Sequence, residues 1–263
     1  MTLTANPRHL PGRDSRHLSS IARPMTRMER APATALPKRS YEVAGLRGDG
    51  SLYIGQMSGP AIPLFENAFS AFARGSLIQT TQGDIAVEDL QPGDMINTST
   101  GEPAELVWIG STSFAPGEGG KRTPLIRIMP DSFGEHRPGS FLTVGPGARI
   151  LQTPPALRGM ADGKRLLTPA SRFVDGVNVI EVTPPTPVRL FHICLTRHAA
   201  INVGGLEMET FHPGAQATRE VTHALRDKFL SLFPRIGHVS DFGPLAHPRA
   251  PEEDIEDRAA QIG

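Results

Sequence analysis

Glycine and proline interrupt this chain too often for long helices to form. Of 263 residues, 27 are glycine and 25 are proline. Glycine loses more backbone freedom in a helix than any other residue, and proline removes a donor and clashes with the preceding turn. What remains between the interruptions is a series of short apolar runs bounded by turn residues. Arg47-Gly48-Asp49-Gly50 separates Tyr41–Val43 from Ser51–Ile54, and Gly145-Pro146-Gly147-Ala148 separates Phe141–Val144 from Arg149–Gln152. Asp175-Gly176 opens a tight turn into Val177–Val182, and Arg189–Leu195, Ala199–Val203 and Leu206–Phe211 follow. Short strands at roughly ten-residue intervals with turn signals between them predict an all-β fold. Only Thr218–Phe233 carries a helical period, through Val221, Leu225, Phe229 and Leu232, and Pro234 ends it. This stretch is expected to pack against the sheet as a helix.

The organisation read from these signals has five parts. Residues 1–40 form a basic arm rich in Pro, Arg, Ser and Thr, with no apolar period, and are expected to be disordered. Residues 41–64 form a hairpin and linker, 65–215 a compact β domain, 216–234 the packing helix, and 235–263 a tail that is acidic from Glu252 to Asp257. The Gly-rich stretch Gly117–Gly120 lacks the following helix of a phosphate loop and reads as a surface loop.

Formal net charge is zero, so no global pull toward nucleic acid or anionic lipid follows. The basic arm could still attract phosphate, though without aromatics it cannot stack on bases. No run reaches the roughly 18 apolar residues of a membrane span, and no secretory signal is evident. A soluble, cytoplasmic chain is the expectation. One cysteine, Cys194, excludes an internal disulfide framework. No cofactor motif is apparent, and a protein partner is left open.

The stretch from Phe69 to Asp94 carries a more specific signal. It runs Ala71-Phe72-Ala73-Arg74-Gly75-Ser76-Leu77, then Gly83-Asp84-Ile85-Ala86-Val87-Glu88-Asp89-Leu90, then Pro92-Gly93-Asp94. With Leu142–Leu151, Leu167–Gly176 and Arg189–Phe211 in the same order, it resembles the Hint domains shared by Hedgehog autoprocessing domains and inteins. The likeness is to short bacterial Hint proteins rather than to splicing inteins. It implies self-cleavage chemistry: a Cys or Ser attacks the preceding carbonyl, and a Thr-x-x-His pattern assists the scissile amide. In this chain the nucleophile position reads Ala71, and the Thr and His positions read Gly145 and Ala148. Where inteins end in His-Asn, this chain reads Glu209-Thr210 and continues. A methyl group can neither attack nor carry a proton, so the resemblance implies a degenerate active site.

Three functional readings remain open. One is a Hint protein deficient in autoprocessing that acts as a structural or partner-binding module. Another is an autoproteolytic protein with a displaced nucleophile, Ser70 or Cys194. The last is a nucleic-acid-associated protein using the basic arm. Candidate catalytic residues are His198, Cys194 and His192, because strand alternation would place them with Thr196 on one face. That row could hold a thiol nucleophile beside a base, or three ligands of a metal with Asp175 or His212 as a fourth. The stronger reading is structural: an ordinary polar row on a half-exposed strand, with the lone cysteine packed as a small hydrophobe.

Overall fold

The computed structural model describes residues 37–114, 124–214 and 218–251, all within one compact unit that begins at Leu36. Most of the basic arm, the Gly117–Gly120 loop and the acidic stretch Glu252–Asp257 lie outside the described residues. The arm is shorter than expected at its inner end, because Lys38 already opens the first strand.

In chain order the elements are β1 (Lys38–Leu46), β2 (Leu52–Pro60), α1 (Pro63–Asn67), β3 (Phe72–Ala73), β4 (Leu77–Thr80), β5 (Gly83–Ala86), β6 (Met95–Ile96) and β7 (Ala104–Phe114). There follow β8 (Leu125–Ile128), β9 (Leu142–Val144), β10 (Arg149–Leu151), β11 (Leu167–Pro169), β12 (Val179–Val182), β13 (Val188–Leu195), β14 (Ala200–Val203), β15 (Leu206–Glu209) and α2 (His223–Leu230). The expected all-β architecture holds. The named strands pair antiparallel in one continuous path, β11-β10-β15-β14-β4-β6-β7-β13-β3-β9-β8-β12, with the β1–β2 hairpin joined to β7.

The long strand β7 links the two halves of this path. Its start pairs with β6, through Ala104↔Ile96, and its remainder pairs with β1 and β13. A bulge at Val107, between the pairs Leu195↔Leu106 and Cys194↔Trp108, resets its alternation, so Leu106 and Ile109 enter one apolar cluster and Trp108 another. The first cluster joins Ile78, Ile96, Ile126, Val144, Ile150, Ile193 and Met208. The second is aromatic: Tyr41, Phe65, Phe69, Trp108, Phe211, Phe229, Phe233 and Phe242.

That aromatic cluster changes the expected domain map. Tyr41, Val43 and Leu64 come from the hairpin and linker, so residues 41–64 share a core with the β domain rather than preceding it as a separate piece. The expected tail also packs. Phe242 enters the aromatic cluster, and Arg249 and Ala250 run beside Leu167, with Ala250 N–H donating to its carbonyl at 3.0 Å. The expected helix Thr218–Phe233 shortens to eight residues, His223–Leu230. Thr222 caps it by accepting from Leu225 N–H, and beyond it Trp108 Nε1–H donates to the Leu232 carbonyl at 2.8 Å. Leu232 and Phe233 are thus buried by a turn and not by a further helical turn. Arg47–Ser51 is a plain turn: Gly50 has φ +82°, and Asp49 accepts from the Ser51 amide and hydroxyl.

Candidate functional site

The first candidate is the junction around Ser70 and Ala71. Both residues are fully buried where the chain passes from α1 into β3. Their backbone groups are closely held. Ala71 N–H donates to the Phe191 carbonyl at 2.9 Å, while the Ala71 carbonyl accepts from Gly145 N–H at 2.9 Å. The Ser70 carbonyl, which would be the electrophile if residue 71 were a nucleophile, accepts from Gly147 N–H at 3.0 Å. This approach requires glycine. A Cβ at Gly145 would stand 2.3 Å from the Ser70 oxygen, and one at Gly147 would stand 2.4 Å from the Asn67 oxygen. Ala148 is buried in the apolar cluster. The site therefore brings Ser70, Ala71, Gly145 and Ala148 together but offers only backbone dipoles and methyl groups. The exception is the Ser70 hydroxyl, which is buried without a hydrogen-bond partner among the described residues.

The second candidate is the row on β13. A half-exposed strand was one expectation, but both faces of β13 are covered: Phe191, Ile193 and Leu195 enter the first apolar cluster and Cys194 the aromatic one. His192 lies edge-on to Phe72 and Phe211, with ring centroids 5.3 and 5.4 Å away. Its Nδ1 accepts from Ile193 N–H at 3.1 Å. Burial pushes its pKa down to about 3, against the attraction of Glu209, so the ring is neutral at ordinary pH. The Cys194 thiol points to the Phe211 carbonyl at 3.7 Å, and burial pushes its pKa well up. A thiolate is the reactive form of cysteine, and this environment opposes it.

The row does not extend to His198. β13 ends at Leu195, beside a bulge at Val107 on the neighbouring β7, which leaves Thr196 exposed and His198 in a separate setting. The proposed set of metal ligands therefore does not assemble: among the described residues, no group of three or more His, Cys, Asp or Glu side chains could hold a metal ion. Asp175 is occupied at an exposed turn, where its carboxylate accepts from the amides of Val179, Val177 and Asn178, holding its pKa at about 2.

His198 belongs to a buried ionic cluster that sequence reasoning did not find. Its Nδ1 accepts from Ala246 N–H at 2.9 Å, which assigns the proton to Nε2, and Nε2 faces Glu209 Oε1 at 3.0 Å. Arg249 Nε donates to the same oxygen at 2.9 Å, and Arg149 stands 3.5 Å from the other. Arg249 also donates to the His212 carbonyl at 2.7 Å, and the His212 ring lies 5.3 Å from that of His198. Burial alone would raise the Glu209 pKa. The His198 hydrogen bond and the two guanidinium groups outweigh it and hold Glu209 at about 2. Chemically this is a buried ion cluster: both carboxylate oxygens face cationic or N–H partners, and His198 is held at both nitrogens. Beside it, Thr210 Oγ1 accepts from Ala199 N–H and donates to its carbonyl.

An antiparallel β module with an alanine at its junction is what these features define. Residues 70–215, more than half of the chain, match the family model described as the Hint domain, and the chain belongs to that family. Among solved structures, it is similar to a bacterial intein-like domain from Clostridium thermocellum, at 13% identity and TM-score 0.38, covering 54% of this chain and 99% of that one. It is also similar to a DnaB intein from Synechocystis, at 14% identity and TM-score 0.35, covering 54% and 99%. No curated protein matches it. No described helix is long and apolar enough to cross a membrane.

Proposed function

We propose that this Hint domain has given up self-cleavage and serves as a structural or partner-binding module. The observation that carries the reading is how the chain on either side of Ala71 is packed. Tyr41, Phe65 and Phe69, which precede the junction, interlock with Trp108, Phe211, Phe229 and Phe233, which follow it. Nine residues of β1 also pair with β2, and five of them with β7. A chain built to shed the segment before residue 71 gains nothing from placing that segment in its own core. The missing nucleophile and the missing Thr and His side chains agree with this, since each step of the acyl shift needs a heteroatom there.

The test is the mass of the purified full-length chain incubated with dithiothreitol or hydroxylamine and run under denaturing conditions. It is expected to remain at 28.3 kDa. A fragment beginning at Ala71 would refute the proposal. A second reading is favoured by one feature, the unpartnered Ser70 hydroxyl. In it, Ser70 Oγ adds to the Phe69 carbonyl carbon, the Phe69–Ser70 amide breaks, and its nitrogen takes the proton to leave an ester. Hydroxylamine would then release a fragment beginning at Ser70, and Ser70→Ala would abolish that release.

A further inference from the structure

The hairpin leaves an unusually bare sheet edge. β2 pairs only with β1, and among the described residues nothing pairs with its outer side. The bonds that frame the hairpin, Ala61 N–H to the Pro37 carbonyl and Arg47 N–H to the Ser51 carbonyl, fix which residues face inward. In an antiparallel pair the inward and outward residues alternate, so with Lys38 opposite Pro60 the odd-numbered residues of β2 bond to β1. Leu52, Ile54, Gln56 and Ser58 therefore point their N–H and C=O groups away from the molecule. Pro60 closes the edge, because it has no N–H and its carbonyl accepts from the Tyr41 hydroxyl at 3.0 Å.

Sheet edges are normally blunted by charges, bulges or prolines. Leu52–Pro60 contains no charged residue, and its register with β1 is uninterrupted over nine residues. Ile54 is 75% exposed and Leu52 52% exposed, both large and apolar. We propose that this edge joins the same edge of a second copy, forming a two-fold dimer with one continuous antiparallel sheet.

A two-fold axis through Gly55 uses every outward group. It pairs Ile54 with Gln56 of the second copy and Leu52 with Ser58 of the second copy, while Pro60 stays outside the ladder. Four such pairs give eight backbone hydrogen bonds, within the roughly 10 ± 5 of a typical interface. Residues opposite each other at the axis do not exchange bonds, and there the backbones come closest. Gly55 suits that position. Its own side is already occupied by the Tyr53 ring, whose hydroxyl would lie 2.3 Å from any Cβ at residue 55. The neutrality of the strand favours this occupant: self-pairing sets each side chain against a copy of the same uncharged set, with no repulsion across the axis. The contact is isologous and closes, so it ends at two copies. It does not rest on the junction being inactive.

Sedimentation velocity of the full-length chain over a concentration series tests the proposal, with Gln56→Pro and Ile54→Lys as variants. Proline at 56 removes an N–H that no bond among the described residues uses, together with the exposed side-chain bond to Ser40, and lysine at 54 adds the missing edge charge. The wild type is expected at twice 28.3 kDa, dissociating on dilution, and both variants at the single mass with unchanged near-ultraviolet circular dichroism. A wild type that stays at the single mass at every concentration would overturn it. So would a dimer that persists in both variants, which would place the contact elsewhere, or one that persists in a folded Ile54→Lys chain if Gln56→Pro fails to fold.

Discussion

Replacing Glu209 with glutamine should be the most informative perturbation of this fold. The change keeps shape but removes the charge that Arg149, Arg249 and His198 converge on. Removing one partner of a buried ion pair costs about 3–5 kcal/mol. The arginine side chains retain 18% and 17% exposure, so water can partly hydrate them and the lower end applies. The pKa gives an independent figure: the distance from the ordinary 4.5 down to about 2 corresponds to about 3 kcal/mol. Because the folded value is depressed, this stability is fully present above pH 4.5 and is lost as pH falls toward 2. Urea unfolding is readily followed through Trp108, the single tryptophan, which is buried in the aromatic cluster. At pH 7 the variant should be about 3 kcal/mol less stable, with a melting temperature lower by about 6–12 °C. By pH 3.5 the gap should narrow by about 1 kcal/mol, since the wild type has by then lost that part of its advantage. A gap that is absent at pH 7, or unchanged between the two pH values, would refute the assignment of Glu209 as a charged anchor.

Two further outcomes follow from the same geometry. His192 titrates ordinarily at 6.5 and is held at about 3 by burial, so protonation favours the unfolded chain once pH drops below 6.5. The wild type should lose about 2 kcal/mol between pH 7 and pH 5 through this group, and His192→Phe, placed between two aromatic rings, should lack that loss in parallel urea titrations. Gly145→Ala would bring a methyl to 2.3 Å from the Ser70 oxygen and 2.8 Å from Leu190, costing about 1–3 kcal/mol as overpacking. Gly48→Ala, with open space around it, is the matched control in thermal melts and should stay within about 0.5 kcal/mol of wild type.

The fold was legible because its signals are local. Gly50, Gly83, Gly93 and Gly176 all take positive φ at turns, as the spacing of glycine among short apolar runs predicts. The Val87–Asp94 motif could be read for the same reason: Asp94 accepts from Gln91 N–H and closes the Pro92-Gly93 turn. What the sequence hid depends on distant partners. In Leu206-Glu207-Met208-Glu209 a period of two places both glutamates outward, and nothing local shows that Arg149 and Arg249 meet the second of them, which is 2% exposed. The segment 235–251 has no apolar period, so its docking through Phe242, Arg249 and Ala250 left no pattern to detect. Alternation along β13 stops where the strand ends at Leu195, so Thr196 and His198 leave the row, and side-chain spacing alone does not mark that boundary.

Ser70 separates a site that has lost its chemistry from one that has moved it by a residue. Three backbone groups around it are satisfied: its carbonyl by Gly147, and both polar groups of Ala71 by Phe191 and Gly145. Its hydroxyl is buried with no partner among the described residues. An unsatisfied buried hydroxyl costs about 1–3 kcal/mol, and alanine removes it while leaving a void too small to matter much. Ser70→Ala should therefore be more stable than wild type by about 1 kcal/mol, with a melting temperature higher by about 2–4 °C. Costs of this kind persist at functional positions, where stability is exchanged for activity. If Ser70→Ala is more stable and the wild type stays intact in hydroxylamine, the hydroxyl serves no cleavage and the junction is structural. If the variant gains stability while the wild type is cleaved before residue 70, the strain belongs to a working nucleophile. A variant less stable than wild type would mean that the hydroxyl has a partner in solution, and the argument from its isolation would fail.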